Sequence, residues 1–344
     1  MKVIIIFLGK VFFTQFCQSQ NAKVEIEQIY KNEISIRAFV LEGNKIYFSG
    51  NKNRVGYIDI KTKITRVIEV RKDFLAIEFR GIAQTKSNLF VLSVGSPALL
   101  YKIDKKTFLP ELVYTENHEM VFYDGIQFSD NNNGIAFGDP IDGRFSIITT
   151  DDGGNTWKKL APESSPLANK NEAAFAASNS TLVVKKSNVW IATGGQSARI
   201  FKSKNYGKEW QVFASPIVQG DSMTGIFSMA FADSKNGFIV GGNFEKPSDR
   251  SKNKAKTIDG GKTWNLQADK RDYGYASCVN IEKYSKGKRL VTVGADGVFL
   301  SNDFGESWIQ IAKDKDLHIC KFLNYSTIIA AGKNKIISIN FQNL

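Results

Sequence analysis

The chain is poor in the residues that build cross-linked or metal-binding sites. Its 344 residues include three Cys, two His and seven Pro. Cys278 and Cys320 fall in predicted inner strands, which favours two buried thiols over a bridge, and no disulfide scaffold is needed. Neither His118 nor His318 has a Cys or carboxylate at a spacing typical of zinc ligands. We therefore predict no metal site.

Helical and nucleotide-binding patterns are lacking as well. After residue 24 no apolar pattern with a 3.6-residue period reaches a convincing helical length. No Gly-x-Gly-x-x-Gly segment follows a strand and opens a helix, so the sequence predicts no nicotinamide cofactor. We predict no other cofactor either. Short β-rich runs between Gly, Asn and Asp turns fill the chain instead. Together with 28 Gly residues, this pattern suits a soluble all-β protein.

The charge of the chain is strongly positive but dispersed. Lys and Arg number 46 against 34 Asp and Glu, a formal net charge of +12. The excess lies along turns and outer strands, as at Lys61, Lys105 and Lys252. A nucleic-acid site needs basic residues clustered on one face. We therefore predict a solvated surface and no nucleic-acid partner. We also predict a monomeric chain.

The first 20 residues have the character of a targeting segment. Lys2 precedes an apolar run over residues 3–9, and polar residues follow from Gln15 to Gln20. The run is too short to span a bilayer, which predicts a signal peptide over residues 1–20 and no transmembrane span. A secreted or periplasmic, cell-envelope location follows. A lipoprotein anchored at Cys17 is the alternative, although residues 14–16 lack the usual small side chains.

One octamer recurs four times, and it organises the rest of the chain. Its pattern is a hydroxyl residue, any residue, Asp or Asn, any residue, Gly, any residue, a polar residue and Trp. The copies are Thr150–Trp157, Ser203–Trp210, Thr257–Trp264 and Ser301–Trp308. The recurring positions that we assign to turn structure are Asp152, Gly154, Trp157, Asn205, Gly207, Trp210, Asp259, Gly261, Trp264, Asp303, Gly305 and Trp308. Such a period indicates a propeller or solenoid.

The chemistry of the octamer is that of a hairpin turn. An Asp or Asn oxygen accepts hydrogen bonds from the backbone N–H groups that follow it. The Gly supplies a positive φ that a side chain resists. The Trp begins the next strand and offers an apolar face to a neighbouring sheet. We interpret the octamer as a structural turn and not as the functional site.

These octamers resemble the Asp-box (BNR) repeats of sialidases and other propellers. A closer resemblance is to the photosystem II stability/assembly factor-like propellers, whose bacterial members are often labelled "oxidoreductase". It covers about residues 75–310. The segments that carry it are Phe79–Gly81, Gly138–Phe145, Glu172–Ser178, Thr193–Gly195, Ala198–Arg199, Gly225–Ser228, Gly241–Asn243 and Gly274–Tyr275. The resemblance implies a binding or assembly factor.

Seven runs that end at a Gly predict seven second strands. They lie at residues 46–50, 89–95, 134–138, 189–194, 237–241, 290–294 and 328–332. We predict one domain over residues 21–344, a seven-bladed β-propeller of four-stranded antiparallel blades. The segment from His318 has room for only three strands. Val24–Tyr30 would then supply the fourth and close the ring, which removes a free sheet edge.

The loops between blades and the turns after the second strands share one face of such a propeller. Charged and aromatic residues converge there, at one mouth of the central channel. Those at inner-strand starts are Arg37, Arg80, Asp124, Glu172 and Tyr275, and those after second strands are Asp139, Asp142, Arg144, Arg199 and Glu245. A concave mouth with opposed charges predicts a binding site. The alternative is that Arg and carboxylate groups pair with each other and only order the loops.

Two hypotheses for function follow. In the first, an exported, non-catalytic propeller binds a protein or glycan at Arg80, Asp124, Asp139, Arg144, Glu172, Arg199, Glu245 and Tyr275. In the second, a sialidase-like glycoside hydrolase uses Arg37, Arg80 and Arg199 on a carboxylate, with Tyr275, Glu172 and Asp124 as nucleophile, base and acid. The Arg-Ile-Pro signature of sialidases is missing, since Gly81 follows Arg80. Three Arg facing one point, with Tyr275 hydrogen-bonded to Glu172, would favour the hydrolase. Arg groups paired with Asp124, Asp139 and Glu172 would favour the binding module.

Overall fold

The computed structural model describes residues 23–344. The predicted signal peptide and Cys17 lie outside the described residues. One short 3₁₀ turn, Pro162–Ser164, accompanies 28 strands in the described part. No helix among these residues has the length and apolar character needed to cross a membrane.

The strands form six antiparallel sheets in residues 23–344. The first combines β27 (Leu317–Asn324), β28 (Thr327–Gln342), β1 (Lys23–Glu42), β2 (Lys45–Gly50), β3 (Arg54–Asp59) and β4 (Thr65–Glu69) in that order. The second sheet contains β5 (Phe79–Gln84), β6 (Asn88–Ser93), β7 (Ala98–Asp104) and β8 (Pro110–Glu116). The third contains β9 (Tyr123–Phe128), β10 (Gly134–Ile141), β11 (Arg144–Thr150) and β12 (Lys158–Lys159).

The remaining three sheets complete the ring. One contains β14 (Leu182–Lys185), β15 (Asn188–Ala192), β17 (Arg199–Ser203) and β18 (Gln211–Ala214). Another runs β13 (Glu172–Ala173), β16 (Gly194–Gly195), β19 (Thr224–Phe231), β20 (Gly237–Asn243), β21 (Lys254–Thr257) and β22 (Asn265–Leu266). The last contains β23 (Ala276–Ile281), β24 (Leu290–Gly294), β25 (Gly297–Ser301) and β26 (Ile309–Ala312). The all-β propeller with four-stranded antiparallel blades is confirmed.

The predicted number of seven separate blades is corrected to six sheets. The predicted first and last blades form one sheet because β1 and β28 are continuous. β1 pairs with β28 from Lys23 opposite Gln342 to Ser35 opposite Lys333, and then with β2 from Ile36 onward. The N-terminal segment thus pairs with the C-terminal strand, as predicted for Val24–Tyr30. Neighbouring inner strands contact each other around the channel, from β1 to β5 and on through β23 to β27 and back to β1.

The octamer turns have the hydrogen bonding that their residue types predict. Asp152 Oδ1 accepts the backbone N–H groups of Asn155 and Thr156, each at 3.0 Å, and Gly154 N–H donates to Thr150 Oγ1 at 3.0 Å. Gly154 has a φ of +79°. Asp259 accepts backbone N–H groups in the same way. Trp157 lies just before β12 and packs edge-on against Phe90 of the neighbouring sheet.

Candidate functional site

A single-residue bulge interrupts six of the inner strands near their start. Each bulge shifts the register by one residue, so the extra side chain is aimed differently from its neighbours. The residues at these shifts are Arg37, Arg80, Asp124, Phe227, Ser277 and His318. Three of the six are predicted site residues. The bulges interrupt the backbone hydrogen-bond ladder near the channel, and three predicted mouth residues, Arg37, Arg80 and Asp124, lie at these interruptions.

Four of the predicted residues line one cavity of about 340 Å³. These are Arg37, Arg80, Asp139 and Tyr275. The rest of the wall is mainly apolar and comes from Phe122, residues 173–177, Ser222, Met223, Phe227 and Phe244. A concave, mostly apolar cavity with a few charged groups is the usual form of a binding site.

The two arginines of the cavity retain unused hydrogen-bonding capacity. Arg80 Nε donates to Glu78 Oε1 at 2.8 Å. Arg37 Nη1 makes a long contact of 3.4 Å with the Ala177 carbonyl oxygen, and its buried Nε has no partner among the described residues. Burial, followed by the charge of Arg80, lowers the pKa of Arg37. A bound anion would relieve both the repulsion and the missing hydrogen bonds.

Two carboxyl groups lie beside these arginines. Asp124 is 1% exposed, and neither of its carboxyl oxygens has a hydrogen-bond partner in the described part of the chain. Burial and the neighbouring Asp139 raise the pKa of Asp124 well above its usual range, and the charge of Arg80 offsets only part of this rise. Asp139 accepts the Ala174 N–H at 2.8 Å, and burial raises its pKa to about 6. The cavity thus combines two arginines with the carboxyl group of Asp139, and the buried carboxyl group of Asp124 lies beside it; the pKa values of both acids are raised.

An aromatic cluster forms the apolar wall of the cavity. Phe175 and Phe227 stack with ring centroids 3.9 Å apart and an interplanar angle of 3°. Tyr275 meets Phe227 edge-on at 4.7 Å, and Phe244 meets Tyr275 edge-on at 5.3 Å. Phe244 is 49% exposed at the rim. Burial raises the pKa of Tyr275, and the charge of Arg37 offsets part of that rise.

The other predicted residues do not join this cavity. Arg199 forms an ion pair with the buried carboxylate of Glu172, whose Oε1 also accepts a hydrogen bond from the Thr193 hydroxyl at 2.5 Å. Arg144 donates to the Ser165 carbonyl oxygen at 2.9 Å, and Glu245 is exposed. The structure therefore separates the predicted site into a cavity and a set of loop-ordering contacts.

The arrangement expected of a sialidase-like hydrolase is not formed. Arg199 faces Glu172 and not the pair of Arg37 and Arg80, so three guanidinium groups do not share one point. In the described residues no hydrogen bond joins Tyr275 to Glu172. His318 lies near the two cavity arginines, and burial together with their charges lowers its pKa to about 4. Residues 23–344 contain no group of three or more His, Cys, Asp or Glu placed to hold a metal ion.

Sequence reasoning missed several residues of the cavity. Glu78, the partner of Arg80, lies two residues before it, and this spacing, which places two side chains on the same face of an extended strand, was the available signal. Phe175 and Phe227 lie in segments quoted for the family resemblance, so their apolar, aromatic character was the available signal. Phe244 and Met223 lie in loops, which carry no periodic pattern.

Comparison with known proteins establishes the fold and no closer relationship. No family model matches this chain, and no curated protein matches it. Solved structures do. The chain is similar to YCF48 bound to a D1 peptide, with a TM-score of 0.65 and 12% identity over 93% of this chain and 97% of that chain.

Two further structures are similar to the same degree. YCF48 from Cyanidioschyzon merolae has a TM-score of 0.65 and 12% identity over 92% of this chain and 98% of that chain. The WD40 repeats of RRP9 have a TM-score of 0.65 and 12% identity over 92% of this chain and 97% of that chain. At such identities the likeness supports a β-propeller and nothing finer.

Proposed function

We propose that this chain is an exported, non-catalytic propeller that binds a protein segment in the mouth cavity. The observation that carries the proposal is the pair of under-used arginines, Arg37 and Arg80, beside the stacked rings of Phe175 and Phe227. Arginine takes a carboxylate through parallel N–H donors, and an aromatic wall takes an apolar side chain. The ligand is therefore a segment with an acidic group next to a large apolar residue.

Two further observations support this proposal. The YCF48 structure of the same fold holds a D1 peptide, so a propeller of this kind can present a peptide site. The four octamer turns also support membership in the Asp-box (BNR) group and the assembly-factor-like family. The Glu172–Arg199 ion pair argues in the same direction, because it commits two residues that a hydrolase would need for substrate.

Export rests on the sequence of residues 1–20. Its test is cell fractionation followed by N-terminal sequencing of the protein from the envelope fraction. A chain that begins near residue 21 supports a cleaved signal peptide, and a chain that begins at Met1 in the cytoplasmic fraction contradicts it.

Peptide selection tests the binding proposal. Random peptides displayed on phage would be selected on the full chain, and the best peptide titrated calorimetrically into the protein and its variants. We expect Arg80→Ala to weaken binding at least about tenfold, because a hydrogen bond to a charged group contributes roughly 1.5–3 kcal/mol. Phe175→Ala should weaken binding as well.

Arg71→Ala is the matched control. Its side chain is 74% exposed and pairs with Glu69, so this variant should bind the peptide like the wild type. Selected peptides that bind Arg80→Ala and Phe175→Ala unchanged would contradict the proposed site. A glycan array is probed in parallel. A glycan that binds the wild type but not the Arg80→Ala variant would reassign the ligand class.

A further inference from the structure

A second cavity lies further along the inner strands, away from the mouth arginines. It measures about 190 Å³, and its lining includes Cys278, Cys320, Ser178, Ser180 and Lys321. Both cysteines are free. The mouth cavity and the proposed ligand do not involve these residues, so the pair is independent of the proposed function.

The two thiols lie on adjacent strands of different sheets. Cys278 is on β23 and Cys320 on β27, which belong to separate hydrogen-bonded sheets. The Cys320 backbone N–H donates to Cys278 Sγ at 3.5 Å, and the Cys278 thiol lies 3.6 Å from the Cys320 carbonyl oxygen. The Cys278 sulfur therefore rests directly against the backbone of the other cysteine.

The surroundings of Cys278 favour its thiolate. Burial opposes a charge on Cys278, but its contacts with Cys320, which include the backbone N–H donated to Sγ at 3.5 Å, outweigh burial and lower the pKa of Cys278 to about 7. Cys320 differs, since burial raises the pKa of its thiol, which donates to the Val291 carbonyl oxygen at 3.8 Å. One sulfur is thus suited to attack, and the other stays protonated beside it.

We propose that Cys278 and Cys320 form a peroxide-reactive thiol pair whose product is a disulfide between β23 and β27. The Cys278 thiolate attacks one oxygen of hydrogen peroxide, the O–O bond breaks, and hydroxide leaves and takes up a proton to form water. The resulting Cys278 sulfenic acid is then attacked by Cys320, which forms the S–S bond and releases a second water. In sum, two thiols and one peroxide give one disulfide and two waters.

Disulfide formation requires the Cys320 side chain to move. The Cys320 side chain must turn from the Val291 carbonyl oxygen toward Cys278 Sγ, which already contacts its backbone. The bond would connect two sheets that share no backbone ladder at this point.

The test uses the full chain with Cys17→Ser, so that Cys278 and Cys320 are its only thiols. Hydrogen peroxide is added to the reduced, folded protein, and the mass of the intact chain is followed. We expect a loss of about 2 Da, the mass of two hydrogen atoms, that dithiothreitol reverses. With Cys320→Ser added, the reaction should stop at a sulfenic acid that dimedone traps.

The rates at which the two thiols react with hydrogen peroxide show which sulfur attacks. In single-thiol variants, Cys278 should react at least about tenfold faster than Cys320, and its rate should rise through a midpoint near pH 7. Both serine variants are checked for folding by circular dichroism. Equal rates for the two thiols, reaction only after urea unfolds the chain, or a disulfide that links two chains would each overturn the proposal.

Discussion

The carboxyl groups of the octamer turns and those at the mouth are the same chemical group, but their pKa values are shifted in opposite directions. In the turns, hydrogen bonds from Thr156 and other neighbours lower the pKa of Asp152 to about 2. At Asp259 burial is the largest single influence and opposes ionisation, but the hydrogen bonds together still lower its pKa to about 2. At the mouth, burial leaves Asp124 without a hydrogen-bond partner in the described residues and raises its pKa.

This difference separates polar groups that are satisfied within their own turn from polar groups that are not. A turn carboxylate that is fully hydrogen-bonded by its own loop has nothing left to offer a ligand. A buried carboxyl with no partner costs stability, and such groups cluster at functional sites. The repeated and easily recognised octamer therefore orders its own turn, while the mouth residues keep the unsatisfied polar groups on which the proposed binding rests.

The largest expected effect comes from the turn glycines. In Gly154→Ala the new side chain would have to adopt a φ of +79°, and its Cβ would overlap the ring of Phe90. Left-handed strain and overpacking together should lower the free energy of unfolding by about 3 kcal/mol. Urea denaturation monitored by tryptophan fluorescence measures the change.

Gly143→Ala is the matched control for that measurement. Gly143 has a similar φ of +76°, but a Cβ added there would meet nothing within 4 Å. The loss should therefore be only about 1 kcal/mol. Equal losses at the two positions would show that Phe90 does not constrain the turn.

An intermediate effect is expected at the mouth. Asp124→Asn should raise the free energy of unfolding at pH 7 by about 1–3 kcal/mol, because the amide is uncharged and does not have to be neutralised when it is buried. The pKa of Asp124 is raised in the folded state, so its favourable contribution is present below the unfolded pKa of about 3.9 and is lost as the pH rises. The difference between variant and wild type should vanish near pH 3.

Asp151→Asn, an exposed neighbour of the turn, provides the control and should leave stability unchanged at both pH values. A loss of stability in Asp124→Asn at pH 7 would mean that the carboxylate is charged and held by Arg80. In that case Asp124 would stabilise the folded state as a carboxylate, as the turn carboxylates do, and the two regions would not differ in this respect.

Much of the fold was predictable because its signals are local. The runs at 134–138 and 290–294 correspond to the start of β10 and to β24, since a β-rich run that ends at Gly is readable from adjacent residues. The number of sheets was not predictable in the same way. Whether β1 continues from one blade into the next depends on its pairing with β28, at the other end of the chain, and no local pattern encodes it.

The site was predictable only in part for a related reason. Arg37, Arg80, Asp139 and Tyr275 were placed at one mouth from strand topology, and they do line one cavity. Topology does not specify the partner of each side chain. Glu172 lies on β13, outside the inner strands, where it meets Arg199. Arg80 lies at the bulge of β5 and pairs with Glu78.

The smallest expected effect tests the turn carboxylate itself. Asp152→Ala removes an acceptor of two backbone N–H groups and should lower the free energy of unfolding by about 1 kcal/mol at pH 7. Because the folded pKa of Asp152 is lowered to about 2, its contribution is present above the unfolded pKa and is lost as the pH falls toward 2. Asp151→Ala, exposed and next in sequence, should change nothing in the same urea titrations. If Asp152→Ala also left stability unchanged, the octamer carboxylates would not stabilise the turns, and their repetition would need a functional explanation.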